Sequence, residues 1–139
     1  MKFADIAQKF LRSIHIPALL MMGLLFALSS LPGGSGGIIR PPMDKVIHGA
    51  AYLVLGLLFC AWIRERRWRG QPLRHALIVL LIVGIFGLSD EFHQSFVPGR
   101  DVSLGDWAAD LTGGILSLIV YLRIRAYRWV DRWRTKAQN

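Results

Sequence analysis

ALIVLLIVGIFGLSDEFHQSFVPGR, residues 76–100, sets thirteen residues without a charge directly against Asp90, Glu91, His93 and Gln94. The run belongs to an apolar block from Leu73 to Phe92, and three similar blocks accompany it: Ile14 to Leu31, Val46 to Ile63 and Leu104 to Ile124. Each is about the length that crosses the hydrocarbon core of a bilayer, roughly 17 to 25 residues. Hydrophobic residues make up 53% of the 139, and they gather into these blocks instead of spreading as amphipathic stripes or alternating strands. Four blocks with short connections leave no room for a separate soluble domain. The expectation is an all-α polytopic membrane protein, with four transmembrane helices in a single domain over 1–139.

A net charge of +8 would suggest nucleic acid in a soluble protein, but the placement of the charges argues for a membrane surface. Lys2, Lys9 and Arg12 precede the first block; Arg64, Arg66, Arg67, Arg69 and Arg74 separate the second from the third; Arg123, Arg125, Arg128, Arg132, Arg134 and Lys136 end the chain. The other two connections hold only Arg40, Lys45 and Arg100, so the split is fourteen against three. With an even number of spans, that asymmetry places both termini and the middle connection inside, including a basic cytoplasmic tail over 125–139. Trp62, Trp68, Trp129 and Trp133 stand among the inner charges, as interfacial aromatics do. The expected partners are the bilayer and its anionic headgroups, with no nucleic acid.

Basic residues ahead of IPALLMMGLLFALSS also fit a secretory signal. The block is long for one and LSSLPGG is a weak cleavage site, so a retained first helix is expected. Cys60 is the lone cysteine, which excludes a disulfide framework and leaves a packing role. GGSGG (33–37) reads as a flexible outer loop, and PPMDK opens the second helix, with Asp44 suited to its positive end. VPGR (97–100) is a tight turn, and Ser103 with Asp106 three residues on resembles a capping box opening the fourth helix. Beyond Tyr121 the basic tail is expected to lie along the inner surface as a short amphipathic helix. Gly49, Gly56, Gly84, Gly87, Gly113 and Gly114 read as close helix packing.

In this orientation Asp44, Asp90, Glu91, Asp101, Asp106 and Asp110, with His48 and His93, gather near the outer ends of the second, third and fourth helices. Asp44 and His48 are four apart, as are Asp106 and Asp110; Asp90 stands three before His93 and four before Gln94. Each pair shares a helix face. His48 and Asp110 then sit about 6 Å deeper than their partners. A charge at the centre of an isolated span costs about 2.5–3.5 kcal/mol, so several of them are tolerable only if they face one another across a pocket. Asp44 and Asp106 also suit helix N-termini, and Asp101 suits a solvated loop. Asp90 and Glu91 have no such excuse, since acids at a helix C-terminus oppose the dipole. His15 and His75, near the inner ends, read as interfacial.

DKVIHGAAYLVLG and GLSDEFHQSFVPGRDVSLGDWAADLTGG, with the four-span layout, resemble the VanZ-like family of bacterial membrane proteins, named for a protein associated with teicoplanin resistance. The family pattern is similar at Asp44, Lys45, His48, Asp90, Glu91, Gln94, Pro98, Gly99, Arg100, Asp106, Asp110 and Gly113, a core over 44–120. Asp110 stands where many relatives carry Asn, and His93 matches no fixed position. The resemblance implies the bacterial cytoplasmic membrane and a link to envelope physiology, without supplying a reaction.

Three functions follow from the cluster. The first is an outer site for an anionic envelope or lipid-linked cell-wall molecule. Lys45, Gln94 and Arg100 would bind it, and Asp44, His48, Asp90, Glu91, Asp106 and Asp110 would serve as acids and bases. A divalent metal on His48, His93 and Glu91 is a variant of this site. The second is a scaffold whose polar residues lock helices together, with Lys45 or Arg100 paired to Asp90 or Glu91. Within either, Glu91 is expected at the pocket centre and Asp90 bracing the turn. The third, a proton relay through His48 and Asp110, lacks polar residues on the inner half. Whether the chain is an enzyme stays open at this point. The basic split makes one prediction: a reporter fused after Asn139 is active only on the cytoplasmic side, and activity on the outer side overturns the N-in, C-in orientation.

Overall fold

Hydrocarbon offers a backbone amide no partner, so an apolar block placed there folds as a helix, the one local structure that satisfies its own N–H and C=O groups. In the computed structural model every element among the described residues is helical. Those residues are 16–32, 43–63, 65–100 and 102–137, with side chains described for 16–32, 43–63, 67–100 and 102–128. The order is α1 (Ile16–Ser29), α2 (Met43–Trp62), α3 (Glu65–Gly70), α4 (Pro72–Gln94) and α5 (Leu104–Ala137). Among the described residues, three helices are long and apolar enough to cross a membrane: Met43–Trp62, Pro72–Gln94 and Leu104–Arg128. The fourth apolar helix, α1, is shorter at 14 residues. It ends as Ser29 and Ser30 turn their hydroxyls back onto the Phe26 carbonyl, two residues before Pro32. Residues 33–42, with the expected glycine loop and Arg40, lie outside the described residues, as do Asp101, His15 and the basic residues Lys2, Lys9 and Arg12 ahead of the first block.

The bundle is inverted relative to a water-soluble one. Leu77, Leu81, Ile85, Leu88 and Phe92 of α4 are exposed, while Asp90, Glu91 and Gln94 of the same helix are buried. That distribution suits lipid outside and polar contact within. Helices α2 and α5 run parallel and almost touch. A methyl group on Gly113 would collide with the backbone oxygen of Gly49 and come within 2.8 Å of the Leu53 nitrogen; one on Gly56 would strike Ser117. Gly87 likewise leaves room for the Asp110 carboxylate, since a methyl there would meet Asp110 Oδ2 at 2.8 Å. The glycine-packing expectation holds at these positions.

Three expectations change. The basic connection is not a plain loop: α3 tucks Trp68 beneath the bundle. The Trp68 indole is fully buried and donates to the Cys60 carbonyl at 3.1 Å, with Tyr121 at 5.2 Å. It therefore packs against protein, not at the lipid interface. Beside it a cavity of about 530 Å³ is lined by Phe59, Trp62, Ile78 and Ile82 and rimmed by Arg67 and Arg74. The tail does not turn away after Tyr121; α5 continues unbroken for 34 residues, because no glycine or proline follows Gly114 within it. Finally, Ser103 and Asp106 do not close a capping box on each other. The Ser103 N–H is taken by Glu91 from α4, and the Asp106 carboxylate goes to Lys45.

Gly113→Ala is expected to lower stability by about 1–3 kcal/mol, the usual cost of overpacking, with a lower thermal midpoint in detergent. Gly23→Ala, where the added methyl meets nothing within 4 Å, should leave the midpoint unchanged. Equal behaviour of the two would refute backbone proximity as the reason for Gly113.

Candidate functional site

The start of α2, the end of α4 and the start of α5 meet at one end of the bundle, with the end of α1 beside them. Lys45, His48 and Tyr52 follow one another at helical spacing of three and four, so one face of α2 looks at α5. Asp106 and Asp110 answer from α5. Lys45 Nζ lies 2.7 Å from Asp106 Oδ1 and 3.7 Å from Asp44 Oδ2. One turn deeper, His48 Nδ1 lies 3.0 Å from Asp110 Oδ1. With an ionised Asp110, Nδ1 carries the proton and donates it, which leaves Nε2 as an acceptor without a hydrogen bond among the described residues. Asp44 also accepts the Lys45 backbone N–H at 2.8 Å, the helix-end role its position suggested.

Helix α4 brings Asp90, Glu91 and Gln94, each nearly enclosed. They turn inward because α4 carries its large apolar side chains on the opposite face. Gln94 Nε2 donates to Asp90 Oδ2 at 3.0 Å, an i to i+4 bond on one face. Glu91 Oε2 accepts the Ser103 N–H at 2.8 Å, so the carboxylate of one helix satisfies the start of the next. The turn between them has the geometry its sequence demands. Arg100 N–H bonds back to the Val97 carbonyl at 3.2 Å across Pro98 and Gly99, and Gly99 adopts a φ of 74°.

Among the described residues, four buried polar atoms have no partner: Tyr52 OH, Asp90 Oδ1, Glu91 Oε1 and Asp110 Oδ2. Such atoms each cost about 1–3 kcal/mol when left unmet. They belong to one neighbourhood, since Tyr52 lies within electrostatic reach of Asp110, Asp90 and Glu91. Ligand atoms of His48, Glu91 and Asp110, one from each of three helices, lie within 4.8 Å of one another. That arrangement can accept a proton, pass one, or hold a cation.

Three expected residues stand elsewhere. Arg100 pairs with neither Asp90 nor Glu91: its Nε and Nη2 donate to the Leu31 and Leu28 carbonyls at 3.1 Å each. The guanidinium caps the end of α1, adding to the Leu31 N–H already on the Leu28 carbonyl and reaching the carbonyl of Leu31 beyond the last turn. Lys45 likewise goes to Asp106 and Asp44, not to α4. His93 also leaves the cluster, its Nε2 lying 2.9 Å from Ser30 Oγ and its ring 4.2 Å from the Phe26 ring. The carbonyl-seeking arginine and the histidine ring, tilted against Phe26, together fasten α1 to this end of the bundle. Sequence reasoning missed Tyr52, which the spacing of Asp44, His48 and Tyr52 by fours would have offered, and the Ser103 N–H, for which side-chain identity gives no signal.

A family model described as VanZ/LLP1 matches residues 8–125. Uncharacterized protein C11E3.10 of Schizosaccharomyces pombe is 33% identical over 98 residues, which cover 70% of this chain and 57% of the yeast protein. The chain thus spans little more than half the length of that relative. No solved structure matches it. The family match takes in all the helices that build the cluster and every residue of the cluster itself, so the chain belongs to the VanZ/LLP1 family and is one of its membrane proteins.

Proposed function

We propose that this family member is a four-span protein of the bacterial cytoplasmic membrane, with both termini inside. Its outer polar cluster binds or acts on an anionic envelope molecule, such as a lipid-linked cell-wall precursor. The bacterial and glycopeptide-resistance elements of this reading rest on the sequence motifs, the named relative being from a yeast. The observation that carries the working site is the convergence of Asp90 Oδ1, Glu91 Oε1 and Asp110 Oδ2, all buried and all unpartnered. A network evolved only to hold helices together meets its own hydrogen-bonding needs. Here three carboxylates keep an oxygen in reserve.

The residues divide the work. Lys45, about two-fifths exposed at its side chain, stands at the mouth as the point of first contact with an anion. Asp44 and Asp106 hold that ammonium in place. His48 is oriented by Asp110 with Nε2 free, the arrangement that suits a general base. Asp90 and Gln94 line the α4 side. A proton path through the bundle finds no support below Tyr52, where the enclosed side chains are Leu55, Phe59, Cys60, Val79, Val83 and Ser117.

One observation favours the scaffold reading. Lys45–Asp106, His48–Asp110 and Glu91–Ser103 each join two elements, so the same residues also bolt the bundle. Glu91→Gln separates the two, because the amide oxygen still accepts the Ser103 N–H while the carboxylate is lost. The expected outcome is normal protein level and thermal midpoint, with loss of complementation for teicoplanin susceptibility in a bacterial host deleted for its own copy. A well-expressed variant that complements fully overturns the working-site reading. Loss of the protein itself supports the scaffold.

A further inference from the structure

Asp44, Asp90, Glu91, Asp106 and Asp110 gather at this end of the bundle, where among the described residues Lys45, paired to Asp106 and Asp44, is the one ammonium and Arg100 is spent on the carbonyls of α1. An anion approaching such a cluster would be repelled unless another positive charge were present. We infer that His48, Glu91 and Asp110 hold a divalent cation of the zinc or manganese class. Resting on the reading of this cluster as a site for an anion, the inference supplies the charge that reading lacks, and His48 then acts as a metal ligand in place of a general base.

The donor set is specific. Each of three helices contributes one side chain, and their ligand atoms gather within 4.8 Å of one another. Ligands of a zinc ion with bonds of about 2.0–2.2 Å stand roughly 3.4 Å apart, so movements of about an ångström close the site. Glu91 Oε1 and Asp110 Oδ2 are buried oxygens without partners, the atoms a cation would satisfy. Glu91 is held to the protein through its other oxygen, Oε2 to the Ser103 N–H, while Asp110 Oδ1 meets His48 and so brings two of the ligands together. A ligand whose second atom is already anchored is a pre-oriented ligand.

One imidazole and two carboxylates suit zinc or manganese, whereas calcium asks for six to eight oxygens and soft ions ask for sulfur. Cys60, the lone thiol, is three turns further along α2. Three protein ligands leave coordination positions open, and Lys45 stands one turn above them. An anionic oxygen placed between cation and ammonium would meet positive charge from both sides. Tyr52 OH, buried and unpartnered beneath the group, is placed to donate to a carboxylate or to bound water.

The test uses the full chain purified with a tag free of histidine, stripped with EDTA and returned to lipid nanodiscs. Zinc and manganese are titrated by calorimetry, cobalt(II) by its visible absorption, and magnesium serves as the comparison. The expected result is one zinc or cobalt per chain, with at least tenfold weaker binding in Glu91→Gln, Asp110→Asn and His48→Gln. His93→Ala should bind as the wild type does, which separates this set from the one containing His93. Absence of stoichiometric binding by wild type up to 100-fold excess metal overturns the inference, as does equal binding by the combined His48→Gln/Glu91→Gln/Asp110→Asn variant. Should a variant fail to fold, a zinc-induced rise in the wild-type thermal midpoint, absent with magnesium, still decides the question. Loss of complementation by Glu91→Gln without metal binding leaves the working site standing and removes the metal. Metal binding with full complementation does the reverse.

Discussion

Asp110 is fully enclosed between membrane-length helices, and a carboxylate so placed sets the terms for everything around it. Isolated in hydrocarbon it would cost several kilocalories, so other helices must come to it. His48 does so directly, and its approach requires α2 and α5 to lie nearly in contact. Glycine at 56 and 113 permits that proximity, since a methyl group at either would strike the facing helix. Gly87 makes the matching concession on α4, and Trp107 Nε1 ties the two helices by donating to the Gly84 carbonyl at 3.0 Å. Small residues that look like simple packing in the sequence are therefore the condition for burying the charge.

The two ends of the bundle solve opposite problems. At the acidic end the charges turn inward and meet one another across helices. At the basic end Arg67 and Arg74 remain exposed at the rim of a cavity, where long side chains reach polar surroundings while apolar stems stay in contact. The connection there is shaped by Trp68, whose buried indole gives the short α3 a reason to exist that its four charged residues would not.

Helix content and the polar cluster were legible because both depend on composition and spacing along single helices. Asp106 and Asp110 four apart, or Asp90 and Gln94 four apart, define a face whatever the neighbours are. Which partner each side chain takes was not legible, since that depends on helix register. Arg100 illustrates it: charge alone pairs it with Asp90 or Glu91, but the helix-end carbonyls of Leu28 and Leu31 are what the turn brings within its reach. His93 went astray for a related reason, because one residue of rotation on α4 separates the face of Gln94 from the face that meets Phe26. The tail went astray through length, since nothing in a basic sequence marks where a helix leaves the membrane without ending.

The bond from Glu91 to the Ser103 N–H also has a meaning in time. It spans twelve residues, whereas His48 and Asp110 are sixty-two apart. Closing the longer loop costs about 1.5 kcal/mol more in chain entropy. The α4–α5 hairpin can thus lock as soon as its second arm begins, with the start of α5 capped by its predecessor. The α2–α5 seam must wait until α5 is laid down along its glycines. Assembly of the acidic chamber is then the closing event of insertion, so that charges destined for the interior are exposed to one another only when the last wall arrives.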